Sequence, residues 1–447
     1  MWSIFIFFPF AFSKDLPKWP KRYTLKGSWR IPYQRISEPF YVITDYVQNR
    51  QVESAYEGLQ HTIHILNNRS YQFQPNMDHM TCLFTEISGP NDYLREYLPL
   101  KNEEWEYIGE TVVLGKLCNM WEKKTKPALG WYYRFYADVV TNEPVRYFMH
   151  GQSLRHSHPA DYYFDITSFG VTFDESAFYL PTNCKNVDSA GPVYAEDISK
   201  PKIKNIDFKP VTCPVEVPVY EGELPTEFTW RNVQNILSMP RDQANCGSCW
   251  AEAAASSVSA QFSLLRNQTT QVSVQQIVDC TWGPYNHACQ GGESDDGLRY
   301  LVDAKRQIAL EEEYPYLGVA GYCSPTVSKP IGTVTGCWQV PPKDNLALKK
   351  ALFKHGPVIV AILGSLDTFV QYQKGVYKDA KCNSNVSGDH CVLLTGWKVI
   401  DGTPVWEIQN SWSDVWGDNG YAYISAESFD YDCGITLAAF LPRVELI

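Results

Sequence analysis

A cysteine does nucleophilic chemistry only as thiolate, so in a chain with 13 cysteines the residues of interest are those placed to lose a proton. Cys249 stands out among them. It lies near the end of the octamer Gln243-Ala-Asn-Cys246-Gly247-Ser248-Cys249-Trp250 and opens the alanine-rich stretch from Ala251 to Leu265. That stretch predicts a helix, and the unpaired N–H groups and dipole at a helix start favour an anion there. The odd cysteine count points the same way, to a paired framework plus at least one thiol kept free.

The elements that must position this thiol come from a chain of 447 residues, long enough for two or three domains with their own cores. A formal net charge of −11 argues against nucleic acid as a partner, because a phosphate backbone is met by clustered Lys and Arg. Met1 to Phe12 is almost wholly apolar, and Ala11 and Ser13 fit a small-x-small cut before Lys14, so residues 1–13 are expected to be a signal peptide. No later apolar run is long enough to span a bilayer, so no membrane association is expected after cleavage. Sequons at Asn68, Asn267 and Asn385 agree with passage through the secretory route and are expected to be glycosylated. No metal and no cofactor is expected.

Two textures divide the chain. Residues 14–184 are rich in short aromatic runs such as Phe40-Tyr41-Val42-Ile43, Trp131-Tyr132-Tyr133-Arg134-Phe135-Tyr136 and Tyr162-Tyr163-Phe164, the pattern of a β-rich domain, barrel or sandwich. Cys82 and Cys118 lie within it and are candidates for a pair, although connectivity stays open at this stage. Residues 185–223 turn polar and proline-bearing and read as a linker. Residues 224–447 are mixed α and β: Ser273-Val-Gln-Gln276 opens a short helix with a capping-box pattern, and Asn345 to His355 predicts another, closed by Gly356-Pro357.

The octamer around Cys249 carries the C-G-[SA]-C-[WY] signature, and 141 residues later Gly388-Asp389-His390-Cys391-Val-Leu-Leu-Thr-Gly396-Trp397 is followed by Val405-Trp406-Glu-Ile-Gln-Asn410-Ser411-Trp412. In these segments residues 224–447 resemble the papain-like, cathepsin-type cysteine proteases. The resemblance implies an α+β, two-lobed catalytic domain hydrolysing peptide or protein substrates. It implies Cys249 as nucleophile, His390 as its base, Asn410 orienting the imidazole, Gln243 donating to the oxyanion and Trp412 shielding the His–Asn contact. It also implies disulfides Cys246–Cys289, Cys280–Cys323 and Cys382–Cys433.

For substrate binding the resemblance points to the glycine pair Gly291 and Gly292, with Glu293, Ser294, Ala361, Gly388, Asp389 and Thr436 around it, a small and partly polar pocket. Cys391 reads as a buried strand thiol. Glu252 stands where an apolar residue is usual, Ser413 replaces the glycine of N-S-W-G, and no helical inhibitory propeptide precedes the unit. The upstream pattern, with Trp19-Pro20 and Gly27-Ser28-Trp29, resembles counting-factor-associated cysteine proteases, and a β-domain before such a unit resembles the exclusion domain of dipeptidyl peptidases. The expectation is a lysosomal or secreted endopeptidase whose amino-terminal domain acts as inhibitor or accessory. The alternatives are a dipeptidyl-type exopeptidase and an inactive binding or signalling homologue.

Overall fold

The computed structural model describes residues 14–65, 69–76, 79–86, 94–155, 158–180, 184–186, 213, 217–218, 220–282, 286–303, 307–324, 326–385 and 388–447. The signal-peptide reading of residues 1–13 and the sequon at Asn68 lie outside them, as does most of the linker expectation.

The aromatic runs of the first region become strands because β-branched and aromatic side chains pack well on a pleated, half-buried surface. Among the described residues twelve strands form one sheet. The path starts at Lys185–Asn186 and His79–Glu86, passes back through Arg69–Asn76 to Arg22–Ile31, and continues through Ala160–Gly170 to Glu106–Val113. Pairing is antiparallel except at the edge, where Lys185–Asn186 runs parallel to His79–Glu86. The middle of the path joins the first long strand to one near the region's end. There the pairing shifts between Lys26 and Gly27, and a Cβ on Gly27 would lie 2.0 Å from the Asp165 carbonyl oxygen, so no larger residue fits. Trp29 stacks on Phe164 at 5.3 Å, and Phe40, Tyr97 and Phe135 are buried in the same core.

The carboxy-terminal unit combines an eight-stranded sheet with the helices Cys249–Arg266, Val274–Cys280, Ser294–Asp303 and Asn345–His355. Local chemistry sets their ends. Ser273 caps the second by accepting from the Gln276 N–H, Asp344 caps the fourth through the Ala347 N–H, and Gly356 at φ 109° terminates it. The first helix packs against the strand His390–Ile400 and against the helix Ser294–Asp303. Trp250, Ala254 and Val258 on this helix share one continuous apolar cluster with Trp29, Phe40 and Phe164 of the β-region. A second cluster, around Val392, Leu394, Trp406 and Trp416, fills the carboxy-terminal sheet. Among the described residues no helix is long and apolar enough to cross a membrane.

Five disulfides are present: Cys82–Cys184, Cys213–Cys337, Cys246–Cys289, Cys280–Cys323 and Cys382–Cys433. The candidate pairing of Cys82 with Cys118 is therefore corrected. Cys82 lies on His79–Glu86 at one end of the strand order, beside Lys185–Asn186, whereas Cys118 lies on Lys116–Lys126 near the other end. Cys184, next to the edge strand, is the partner within reach, and Cys118 stays reduced.

Candidate active site

Cys249 is the first residue of its helix, as the alanine-rich stretch predicted, and is partly exposed while Trp250 beyond it is fully buried. The preceding segment is fastened before it reaches the thiol: Gly247 N–H donates to the Cys289 carbonyl at 2.9 Å, beside the Cys246–Cys289 disulfide. A Cβ on Gly247 would lie 2.7 Å from that carbonyl oxygen, so a side chain there would push the two segments apart.

His390 opens the strand His390–Ile400, paired with Val358–Ile362, and is 6% exposed. Its Nε2 lies 2.7 Å from Asn410 Oδ1, an oxygen that also accepts the Ser411 backbone N–H at 2.8 Å. Because Oδ1 is thus fixed as acceptor, Nε2 donates to it, and Nδ1 is the ring nitrogen left available to a second partner. The Trp412 indole stacks on the imidazole at 4.6 Å and 27°. Gly364 closes the ring from another side, where a Cβ would come within 2.6 Å of His390 Cβ.

The electrostatics follow from these contacts. The Cys249 thiol is held well below its ordinary value, first by the hydrogen bond from the Cys391 thiol and then by the hydrogen bond and charge of His390, which outweigh burial. Burial works against the imidazolium, yet the Cys249 bond and charge, with Asn410, raise His390 above its usual value. Both shifts favour a thiolate–imidazolium pair. Cys391 moves up, because its bond to Cys249 and its burial keep it protonated. Cys391 is buried, as expected from its strand, but its contact with Cys249 was not anticipated. Only its position next to His390 in sequence hinted at it.

Gln243 sits beside these groups with its amide partly committed. Nε2 donates to the Cys246 carbonyl at 3.0 Å, and Oε1 accepts from Ser411 Oγ at 2.8 Å and Trp412 Nε1 at 3.1 Å. One of the two amide N–H groups is left over. The remaining expected residues fall into two sets. Gly291 and Gly292 follow the Cys289–Gln290 turn, Glu293 N–H donates to Asn286 Oδ1, and Ser294 Oγ donates to the Trp250 carbonyl. Burial raises the Glu293 carboxyl, helped by Asp295 and the Cys249 charge. On the other side, Ala361 pairs with Cys391, Gly388 packs on Ala361, and Asp389 accepts from the Gly364 N–H at 2.7 Å. Thr436 is 3% exposed and spends its hydroxyl on Asp432 Oδ2, so it offers no free donor to a ligand. Asn267 and Asn385 are both exposed. No metal-binding cluster of His, Cys, Asp or Glu occurs among the described residues.

The β-region also reaches this site, which the sequence did not indicate. Tyr33 Oη donates to the Pro240 carbonyl, Gln34 Oε1 accepts the Asp242 N–H, and His158 Nε2 bonds Asp242 Oδ1 at 2.8 Å. Gln290, next to the glycine pair, reaches Gln74 at 3.2 Å.

The site thus holds a thiol at a helix start, an imidazole raised by that thiol's charge and an amide bonded to the imidazole. Residues 224–443 match the Papain family cysteine protease, and the chain belongs to that family. It is 34% identical over 223 residues to a Cathepsin L-like peptidase of Aedes aegypti, covering 50% of this chain and 65% of that protein. It is 34% identical over 223 residues to Cathepsin S of Bos taurus (50% and 66%), and 32% identical over 227 residues to Cathepsin K of Mus musculus (51% and 67%). The match thus spans about two thirds of these relatives and half of this chain, leaving the β-region outside it.

Proposed function

We propose that this chain is a cysteine endopeptidase in which the Cys249 thiolate attacks the scissile carbonyl. His390 then protonates the leaving amine and afterwards activates the water that releases the acyl group. Asn410 orients the imidazole, and the free Gln243 N–H with the Cys249 backbone N–H receives the oxyanion. The observation that carries the reading is His390 Nε2 bonded to Asn410 Oδ1 at 2.7 Å, with Cys249 at the start of its helix raising the imidazole through its charge and hydrogen bonding.

In this reading residues 224–447 form the two-lobed catalytic domain, 14–184 an accessory or pro-domain and 185–223 the linker. Residues 1–13 are a signal peptide, Asn68, Asn267 and Asn385 carry glycans, and the protein works in lysosomes or outside the cell. Substrate backbone lies along Gly291 and Gly292, whose lack of side chains permits close approach. A dipeptidyl-type exopeptidase is the second reading, favoured by Gln290 meeting Gln74 beside that pair: a β-region seated there would block one end of the cleft.

Internally quenched peptides and free-amino dipeptide substrates, assayed side by side, test the proposal. Cleavage within the quenched peptides is expected, with covalent labelling of Cys249 by an epoxide thiol inhibitor. Stepwise release of dipeptides alone would establish the second reading, and no labelling with no cleavage would leave a non-proteolytic homologue.

A further inference from the structure

We propose that His158, carried by the β-region, is a positioning residue of the Cys249 site. The inference rests on the roles given above to Cys249, His390 and Gln243.

His158 lies just before the strand Ala160–Gly170 and is 1% exposed. Its Nε2 donates to Asp242 Oδ1 at 2.8 Å, and the Asp242 side chain is wholly buried. The same oxygen accepts the Ala244 N–H at 2.8 Å, closing a turn over Gln243. Ala244 is held at φ 54°, a left-handed conformation that costs a residue with a Cβ and persists only where its surroundings enforce it. Asp242 supplies that enforcement, and His158 holds Asp242.

A second strained corner lies across the site. Ser413 stands at φ 60°, which explains why a glycine is usual there, and its hydroxyl reaches the carbonyl of Pro159, the residue after His158. Backbone bonds tie the two corners together: Gln243 N–H donates to Ser411 O and Ser413 N–H to Arg241 O, both at 2.9 Å. Between them the His158 imidazole lies parallel to the Trp412 indole, at 6.0 Å and 10°. That indole stacks on His390 and donates to Gln243 Oε1. His158 therefore touches no reacting atom, yet it contacts both the turn that aims Gln243 and the ring that covers His390.

The chemistry of removal follows. Without His158, the buried Asp242 carboxylate loses its side-chain donor, and the indole loses a neighbour. Small displacements of a reacting or stabilising group are costly in rate while leaving ground-state binding little changed.

The test compares the full-length wild type with His158→Ala, His158→Phe, which keeps a ring on Trp412, and His158→Gln, which keeps a donor for Asp242. The measurements are kcat and KM on an internally quenched peptide, the rate of Cys249 alkylation by iodoacetamide at pH 6, and thermal unfolding. His158→Ala is expected to lower kcat by about tenfold or more with KM within about twofold, and to slow alkylation several-fold. The Phe and Gln variants fall between it and wild type, and they decide the matter if the alanine variant fails to fold. In a Gln243→Ala background His158→Ala should cost less, because the part of its effect that passes through Gln243 is already lost. Folded variants with both rates within about twofold of wild type, or an equal kcat loss in both backgrounds, would overturn the proposal. Should wild type alkylate at Cys249 but cleave no peptide, the peptidase reading fails and the alkylation rates alone judge His158.

Discussion

The two halves of this molecule are braced by opposite means. The carboxy-terminal unit carries three disulfides of its own, Cys246–Cys289, Cys280–Cys323 and Cys382–Cys433, the first of them three residues from Cys249. The β-region has one, Cys82–Cys184, at its edge, and is otherwise held by twelve paired strands around stacked aromatics such as Trp29 and Phe164. Yet the halves do not behave as beads on a string. One apolar cluster runs across both, from Leu16 to Cys391, and His158 and Gln34 bond Asp242 beside the candidate oxyanion donor. A covalently braced unit can thus leave the fine setting of its site to a neighbour that contributes no reacting atom.

That contrast is broken most sharply by removing the reacting atom itself. Cys249→Ser should lower peptidase activity by roughly a thousandfold or more in a protein that folds as before, measured as kcat/KM with circular dichroism as control. Activity near wild type would end the assignment. Asn410→Ala should cost less, on the order of a hundredfold, because the imidazole loses its orientation while both reacting groups remain. A loss equal to that of Cys249→Ser in a folded protein would mean that Asn410 does more than orient His390.

How far each half was legible in the sequence follows from the range of its determinants. The Cys249 helix, the Ser273 cap and the His390 strand are written in contiguous residues, and all three appear where the sequence placed them. The strands of the β-region were legible as short aromatic runs, but their order was not. The pairing of Arg22–Ile31 with Ala160–Gly170 joins segments far apart in the chain, and nothing local announces it. The error over Cys118 has the same origin, since two cysteines in one region are not thereby at one end of a sheet. His158 was invisible because a lone histidine before a strand acquires meaning only when Asp242 and Trp412 arrive beside it.

The junction between the halves offers a prediction of intermediate size. Cys184 is tied back to the β-region and Cys213 forward to Cys337, so the two disulfides bracket residues 185–212. A protease cutting inside that interval yields two fragments that separate on a denaturing gel without reductant. A cut near Glu223 leaves Cys213 bonded to Cys337, and the fragments part only after reduction. We expect maturation in this stretch, with the β-region remaining associated under native conditions. Cleavage found only within residues 23–173 would contradict the boundary. If the β-region inhibits, its removal raises activity; if it positions the site, removal lowers it.

The smallest effect concerns Glu252, the one carboxyl on the helix Cys249–Arg266. It is 2% exposed, with the nearest cation, Arg241 Nε, at 3.8 Å. Burial pushes its carboxyl up to about 8, opposed by Arg241 and reinforced by Glu311, Asp242 and the Cys249 charge. In the unfolded chain the same group titrates near about 4.3. The folded state therefore holds the proton more tightly, and the stability this contributes is complete below about pH 4.3 and is lost as pH rises towards 8. Asp279, raised to about 7 by burial against the Gly321, Tyr314 and Gln275 donors, acts in the same direction over a lower window. Cys249, with its lowered value, pulls the other way, so wild type alone does not isolate Glu252. Glu252→Gln keeps the size of the side chain and removes the titration, and the difference between its unfolding curve and that of wild type does isolate it. Each unit of separation weighs about 1.4 kcal/mol, so even part of this gap is worth several degrees in Tm. From pH 5 to 8 wild type should lose more Tm than Glu252→Gln, by a few degrees and with nearly all the divergence above pH 5. Parallel curves would mean that Glu252 ionises normally, paired with Arg241, and that the Cys249 helix carries a buried salt bridge instead of a neutral acid.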